Sequence, residues 1–169
     1  MIKLWVILFI VLLCYTIGIR YYIKHFVFNQ NTLFTSKTRR LFRKTGMIYI
    51  ECIRLYGHYF QKPALLIVDT GATTNFIRED LINMIYPQYK NKVLYGDDVM
   101  SVNGTMTLNK IVDVPVFLKP ALACKIPFTL LTHTESLDFL SKECNNNVIG
   151  IIGTEFLQQH GIDMNFKAL

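Results

Sequence analysis

From Gly46 onward the sequence predicts an all-β domain, preceded by an apolar helix. Three observations predict it. Short runs rich in β-branched and aromatic residues alternate with turn residues after Gly46, the pattern of strands joined by tight connections. Asn103-Gly104 lies between two such runs, and both residue types tolerate the positive φ of a type I′ hairpin turn. Two apolar runs, Leu65-Leu66-Ile67-Val68 and Val148-Ile149-Gly150-Ile151-Ile152, read as buried strands.

Taken in order, the chain divides into an apolar segment over 1–23, a basic linker over 24–45 and a domain over 46–169. Residues Leu4 to Ile19 carry no charge, with Trp5 at one end and Tyr21-Tyr22 beyond the other. At about 1.5 Å per residue such a helix just spans a hydrocarbon core of about 30 Å, its aromatic residues placed at the interfaces. The alternative is a cleaved leader. No small-x-small site follows the run, and Leu12-Leu13-Cys14 lacks the small residue of a lipoprotein site, so the run reads as a retained single-span anchor over residues 4–23.

Charge sets the expected orientation. Lys3, Arg20, Lys24, Lys37, Arg39, Arg40, Arg43 and Lys44 precede the first acidic residue, Glu51. From Gly46 on, ten basic and twelve acidic residues leave a net charge of −2. The basic balance of the whole chain therefore belongs to its N-terminal quarter. That stretch reads as a positive-inside flank and places the domain in the cytoplasm. A nucleic-acid partner is not expected of an acidic body without interleaved basic and aromatic residues. Cys52, Cys124 and Cys144 are an odd number without metal-ligand spacing, which suits a reducing compartment. The four histidines form no metal-binding pattern, and neither metal nor cofactor is expected.

Within the domain, Met47 to Leu55 is β-rich, a turn falls at Gly57-His58, and the next strand runs into Asp69. Phe76 to Tyr86 suits a short helical turn closed by Pro87. Lys92 to Val102 and Thr105 to Leu118 flank the hairpin tip, with Met106, Leu108, Val112, Val114, Val116 and Leu118 at period two on one face. Lys125 to Leu131 is another strand. Thr132 to Asn147 is polar, with a helical turn near Glu135 to Lys142, and reads as a surface insertion.

The chemistry-bearing stretch is Leu65-Leu66-Ile67-Val68-Asp69-Thr70-Gly71-Ala72, a carboxylate at a strand end followed by a tight turn. It resembles the active-site signature of the aspartic peptidases. About eighty residues on, Val148-Ile149-Gly150-Ile151-Ile152-Gly153-Thr154-Glu155-Phe156-Leu157 resembles the hydrophobic-hydrophobic-Gly element that braces the active-site loop in that family, and the likeness continues through Gly161 to Asn165-Phe166. With a single Asp-Thr-Gly, the resemblance is to the retropepsin branch. It implies an all-β half-barrel with a flap hairpin and one short C-terminal helix, here behind the transmembrane helix.

What the resemblance implies for function is an aspartic endopeptidase working as a homodimer on a peptide or protein substrate. Asp69 would be the catalytic acid/base, one from each subunit, sharing a proton and activating a water. Thr70 would bond across the dimer axis, and Gly71 would shape the loop. Ala72, Thr73 and Thr74 would line the cleft floor, Ile151 an apolar subsite, and Val102, Asn103 and Gly104 the flap tip. Met164 to Ala168 would interleave with the partner's terminal strands. Retroviral members carry an acid and an arginine where this chain has Thr73 and Thr154, and Gly-Thr-Glu-Phe-Leu resembles the form in cellular and bacterial retropepsin-like proteins. Two other readings stay open: a peptide-binding module that keeps the fold without turnover, and a structural membrane protein whose Asp-Thr-Gly is a plain turn.

Overall fold

The computed structural model describes residues 15–16, 35–101, 104–119 and 122–162. The expected span over residues 4–23, Tyr15 and Thr16 apart, lies outside them, as do Val102, Asn103 and the expected strand from Met164 to Ala168. Among the described residues no helix is long and apolar enough to cross a membrane. The chain divides into two units at Asn31/Thr32, and every strand belongs to the second.

Among the described residues that unit holds seven strands: β1 (Ile48–Leu55), β2 (His58–Val68), β3 (Phe76–Arg78), β4 (Val93–Ser101), β5 (Gly104–Leu118), β6 (Leu122–Leu131) and β7 (Val148–Ile152). Their order is β1-β2-β7-β3-β6-β5-β4, and β1 pairs β5 as well. Six strands thus close into a barrel, and β4 pairs the first part of β5, over Gly104 to Ile111, on the edge whose last part pairs β1. The closure depends on a break in the β1–β2 ladder. β1 pairs Ala64 at Cys52 but Tyr59 at Arg54, and the same end of β1 pairs β5 through Cys52↔Leu118, Arg54↔Phe117 and Leu55↔Val116. A β-bulge of this kind bends a strand and increases its twist, which is how a sheet turns back on itself.

Apolar side chains form two clusters. Ile50, Leu66, Ile77, Leu118, Phe128 and Ile149 belong to the larger one. Tyr49, Leu65, Ile67 and Val148 belong to the other, with Leu137 and Cys144 of α3 (Glu135–Cys144) packed among them. Leu41 of α1 (Ser36–Thr45) also packs there. Strands buried on both faces read as continuous apolar runs rather than alternating ones, which accounts for Leu65 to Val68.

In the second unit the described residues include the expected short C-terminal helix, α4 (Thr154–Gln159), helices where turns were expected, α2 (Glu79–Ile85) and α3, and one helix that was not expected, α1. The second half of the expected linker is α1. Thr35 caps it by accepting from the Thr38 N–H at 3.2 Å, and Gly46 ends it at φ 72° with its N–H on the Phe42 carbonyl at 2.8 Å. Lys37 reaches the buried carboxylate of Glu51 on β1 at 3.2 Å, and Lys119 approaches its other oxygen at 3.4 Å. The polar stretch over 132–147 likewise carries a helix, α3, with an inward face.

Two hairpin expectations also shift. Ser101 pairs Gly104 and Met100 pairs Thr105, so Gly104 belongs to the ladder, whereas a turn centred on Asn103-Gly104 would have paired Thr105 with Val102. The ladder slips between Tyr95 and Asp98, where a side chain on Gly96 would overlap the Leu108 carbonyl; glycine permits that approach. On β5 the period-two face breaks at Asp113, which has φ 54°. The β5–β6 register shifts between Ile111 and Val114, and both of those residues are 0% exposed. Ile111, rather than Val112, therefore belongs to the core.

Candidate functional site

β2 and β3 are consecutive in sequence yet do not pair; β7 lies between them, parallel to β2 and antiparallel to β3. The connection over residues 69–75 must therefore cross the C-terminal end of β7. Gly150 is what lets β7 fit. It pairs with Leu66 on one side and Ile77 on the other, and a Cβ there would overlap the Phe76 carbonyl and lie 3.1 Å from the Ile77 Cα.

The loop is tied at each step. Asp69 donates its N–H to the Ile152 carbonyl at 3.0 Å, which carries the β2–β7 pairing one residue past Val68. The Ala72 N–H returns to the Asp69 carbonyl at 3.2 Å, closing the turn. The Ala72 carbonyl accepts from the Thr154 N–H at 2.9 Å and from Thr154 Oγ1 at 3.3 Å, and the Thr73 carbonyl accepts from the Glu155 N–H at 3.0 Å. The first amides of a helix have no partners inside it. Here the loop carbonyls supply those partners, so loop and α4 fix each other. Gly153 permits this contact, since a Cβ on it would sit 2.7 Å from the Ala72 carbonyl and overlap that of Thr74.

Asn75 holds the far end of the loop and was missed in the sequence. It is 1% exposed. Its Oδ1 accepts from the Gly153 N–H at 2.9 Å, its Nδ2 donates to the Pro127 carbonyl at 3.2 Å, and its own carbonyl accepts from Thr129 at 2.8 Å. One side chain thus joins the loop, β6 and the β7–α4 junction. The available signal was an amide placed just ahead of a buried strand, where an unsatisfied polar group would be costly.

Asp69 itself is exposed, and the Gly71 N–H donates to its Oδ1 at 2.8 Å. A Cβ on Gly71 would stand 3.1 Å from that oxygen, so glycine gives the carboxylate its room. The second carboxylate oxygen has no hydrogen-bond partner among the described residues. Such an arrangement can orient a carboxylate toward a water or a second acid while leaving one oxygen available for proton transfer.

The loop brings Asp69, Thr70, Gly71, Ala72, Thr73 and Thr74 together; Thr70 and Thr73 are exposed, Ala72 and Thr74 half-buried. Ile151 pairs with Ile67 and Phe76 beside the loop, and its half-buried side chain packs against the cluster that includes Leu137. Gly104 starts β5, next to Val102 and Asn103, which lie outside the described residues. Among the described residues no group of three metal-ligating side chains converges.

No protein-family model matches the sequence, and no curated protein matches it. Among solved structures the chain is similar to the EIAV protease complexed with the inhibitor HBY-793, at 15% identity and a TM-score of 0.45 over 71% of this chain and 91% of that one.

Proposed function

We propose that the chain is an aspartic endopeptidase whose active site forms between two copies, each supplying one Asp69. The observation that carries this reading is the carboxylate of Asp69 at the end of β2, oriented by the Gly71 amide on a loop locked to β7 and α4. One carboxylate per chain is half of an aspartic dyad. The chemistry needs two acids close enough to hold one proton between them, one to activate water and one to protonate the scissile carbonyl. The exposure of Asp69, Thr70 and Gly71 in a single chain suits a surface completed by a two-fold partner.

In this mechanism the water held between the carboxylates attacks the peptide carbonyl and gives a gem-diol, with no covalent enzyme intermediate. Its proton passes to the ionised acid, and the protonated acid donates to the carbonyl oxygen. Ala72, Thr73 and Thr74 line the floor, Ile151 an apolar subsite, and the β4–β5 hairpin with Val102, Asn103 and Gly104 at its tip covers the peptide and excludes water. The run over residues 4–23 anchors the enzyme in a membrane, with the domain on the cytoplasmic side.

Incubation with a diverse peptide library tests the reading. Cleavage that is absent in Asp69→Asn and blocked by a pepstatin-type transition-state analogue is the expected result. Saturable binding of peptides with no product in either protein would leave a binding module instead.

A further inference from the structure

We propose that the outward face of α1 is a docking surface for the anionic headgroups of a lipid bilayer. Its ten residues include Lys37, Arg39, Arg40, Arg43 and Lys44 and no acid. Two of the five cations are engaged with the domain. Lys37 pairs with Glu51, and Lys44 donates to the Glu143 carbonyl at 2.6 Å and lies 3.8 Å from its carboxylate. The arginines are not engaged in this way. Arg39, Arg40 and Arg43 make no ion pair among the described residues, and the buried Nε of Arg39 has no hydrogen-bond partner there. Arg40 and Arg43 are exposed, three positions apart, and share one helical face with exposed Ser36. Guanidinium groups present paired donors that match phosphate oxygens. The rest of the domain has a negative balance, so the positive field is local to this helix.

Apolar exposure beside these charges favours a bilayer over a soluble polyanion. Phe139 of α3 is 63% exposed and stands one helical turn before Glu143, on the side of α3 from which Glu143 meets Lys44. Met47, just past the end of α1, is 40% exposed. Cations flanked by a large apolar side chain suit a surface with charge outside and hydrocarbon beneath. The uncharged run from Leu4 to Ile19 lies a short way upstream in the same chain. To the extent that this run is an anchor, the inference rests on that part of the proposed function, because the tether raises the effective concentration of α1 at the headgroups.

The test uses full-length Ser36→Cys protein in phosphatidylcholine vesicles with or without phosphatidylserine. The readout is the rate at which residue 36 reacts with a membrane-impermeant maleimide. Expected is a rate roughly tenfold lower with phosphatidylserine at low salt, recovering at high salt. Each arginine is worth about fivefold in partitioning at an anionic surface, so Arg40→Gln with Arg43→Gln should abolish the protection. Because both side chains are exposed, circular dichroism should show the fold intact. Phe139→Ser should weaken protection without changing its salt dependence. Equal rates in the two lipids, protection that survives the double variant, or protection given only by added RNA would each overturn the proposal. Loss of the protein from pure phosphatidylcholine vesicles at high salt would contradict the anchor alone, since protection by added phosphatidylserine vesicles can still be read.

Discussion

Asp69→Asn keeps an oxygen that accepts the Gly71 N–H, and Asp69 is exposed, so fold and association should survive while the proton-sharing pair does not. Turnover of a cleavable peptide should fall by about a hundred- to ten-thousandfold, with an unchanged melting temperature. Asn75 should behave the opposite way. Asn75→Ala strands the Gly153 N–H and the Pro127 carbonyl without their partners, a cost of about 2–4 kcal/mol for two buried groups, readable as a lower urea midpoint. The place of Asp69 at a strand end was legible at this scale because a carboxylate closes an apolar run, Leu65 to Val68. Asn75 was not, because its importance comes from Pro127 and Gly153, positions distant in sequence that only the topology brings near.

Between β2 and β3, the insertion of β7 makes two glycines structural requirements of the loop. Gly153→Ala would press a methyl group against the Ala72 and Thr74 carbonyls. It should cost about 1–3 kcal/mol and reduce activity beyond what that loss of folded protein explains, as seen by comparing activity per folded molecule with the urea curve. α1 supplies a pH-dependent element. Burial alone would raise the Glu51 carboxyl, but hydrogen bonds from Lys37 and Thr35 and the charges of Lys37 and Lys119 outweigh it and hold its pKa below the usual carboxyl range. A carboxyl lowered on folding contributes stability above its unfolded pKa, about 4.3, and loses it as pH falls through the lower folded value. Hydrogen exchange in α1 should therefore quicken below about pH 4. Glu51→Gln should show the faster exchange already at neutral pH and cost about 1–2 kcal/mol, because both lysines can turn to solvent.

The strands were readable because β-branched runs and their turns are local signals: β1, β2, β6 and β7 fall where the residues placed them. α1 was not, since its composition is that of a solvated segment and its order depends on Glu51, Leu41 and the Thr35 and Gly46 caps acting together. The face of β5 was misread for a similar reason. One residue at positive φ, Asp113, reverses the inward side of a strand, and nothing in an alternating pattern announces it.

At the scale of the whole molecule, a barrel closed through β1 and β5 holds its loop on one chain but offers only one Asp-Thr-Gly. The proposed chemistry therefore belongs to a pair of chains, and the protein should associate at the concentrations where it cleaves. Mixing wild-type chains with Asp69→Asn chains and following cleavage per wild-type molecule tests this most directly. With the variant in about tenfold excess and free exchange of subunits, most wild-type chains sit opposite an inactive partner, and activity should fall to about a tenth. Activity per wild-type chain that stays constant as the variant is added would mean that Asp69 works without a second copy, contradicting the account.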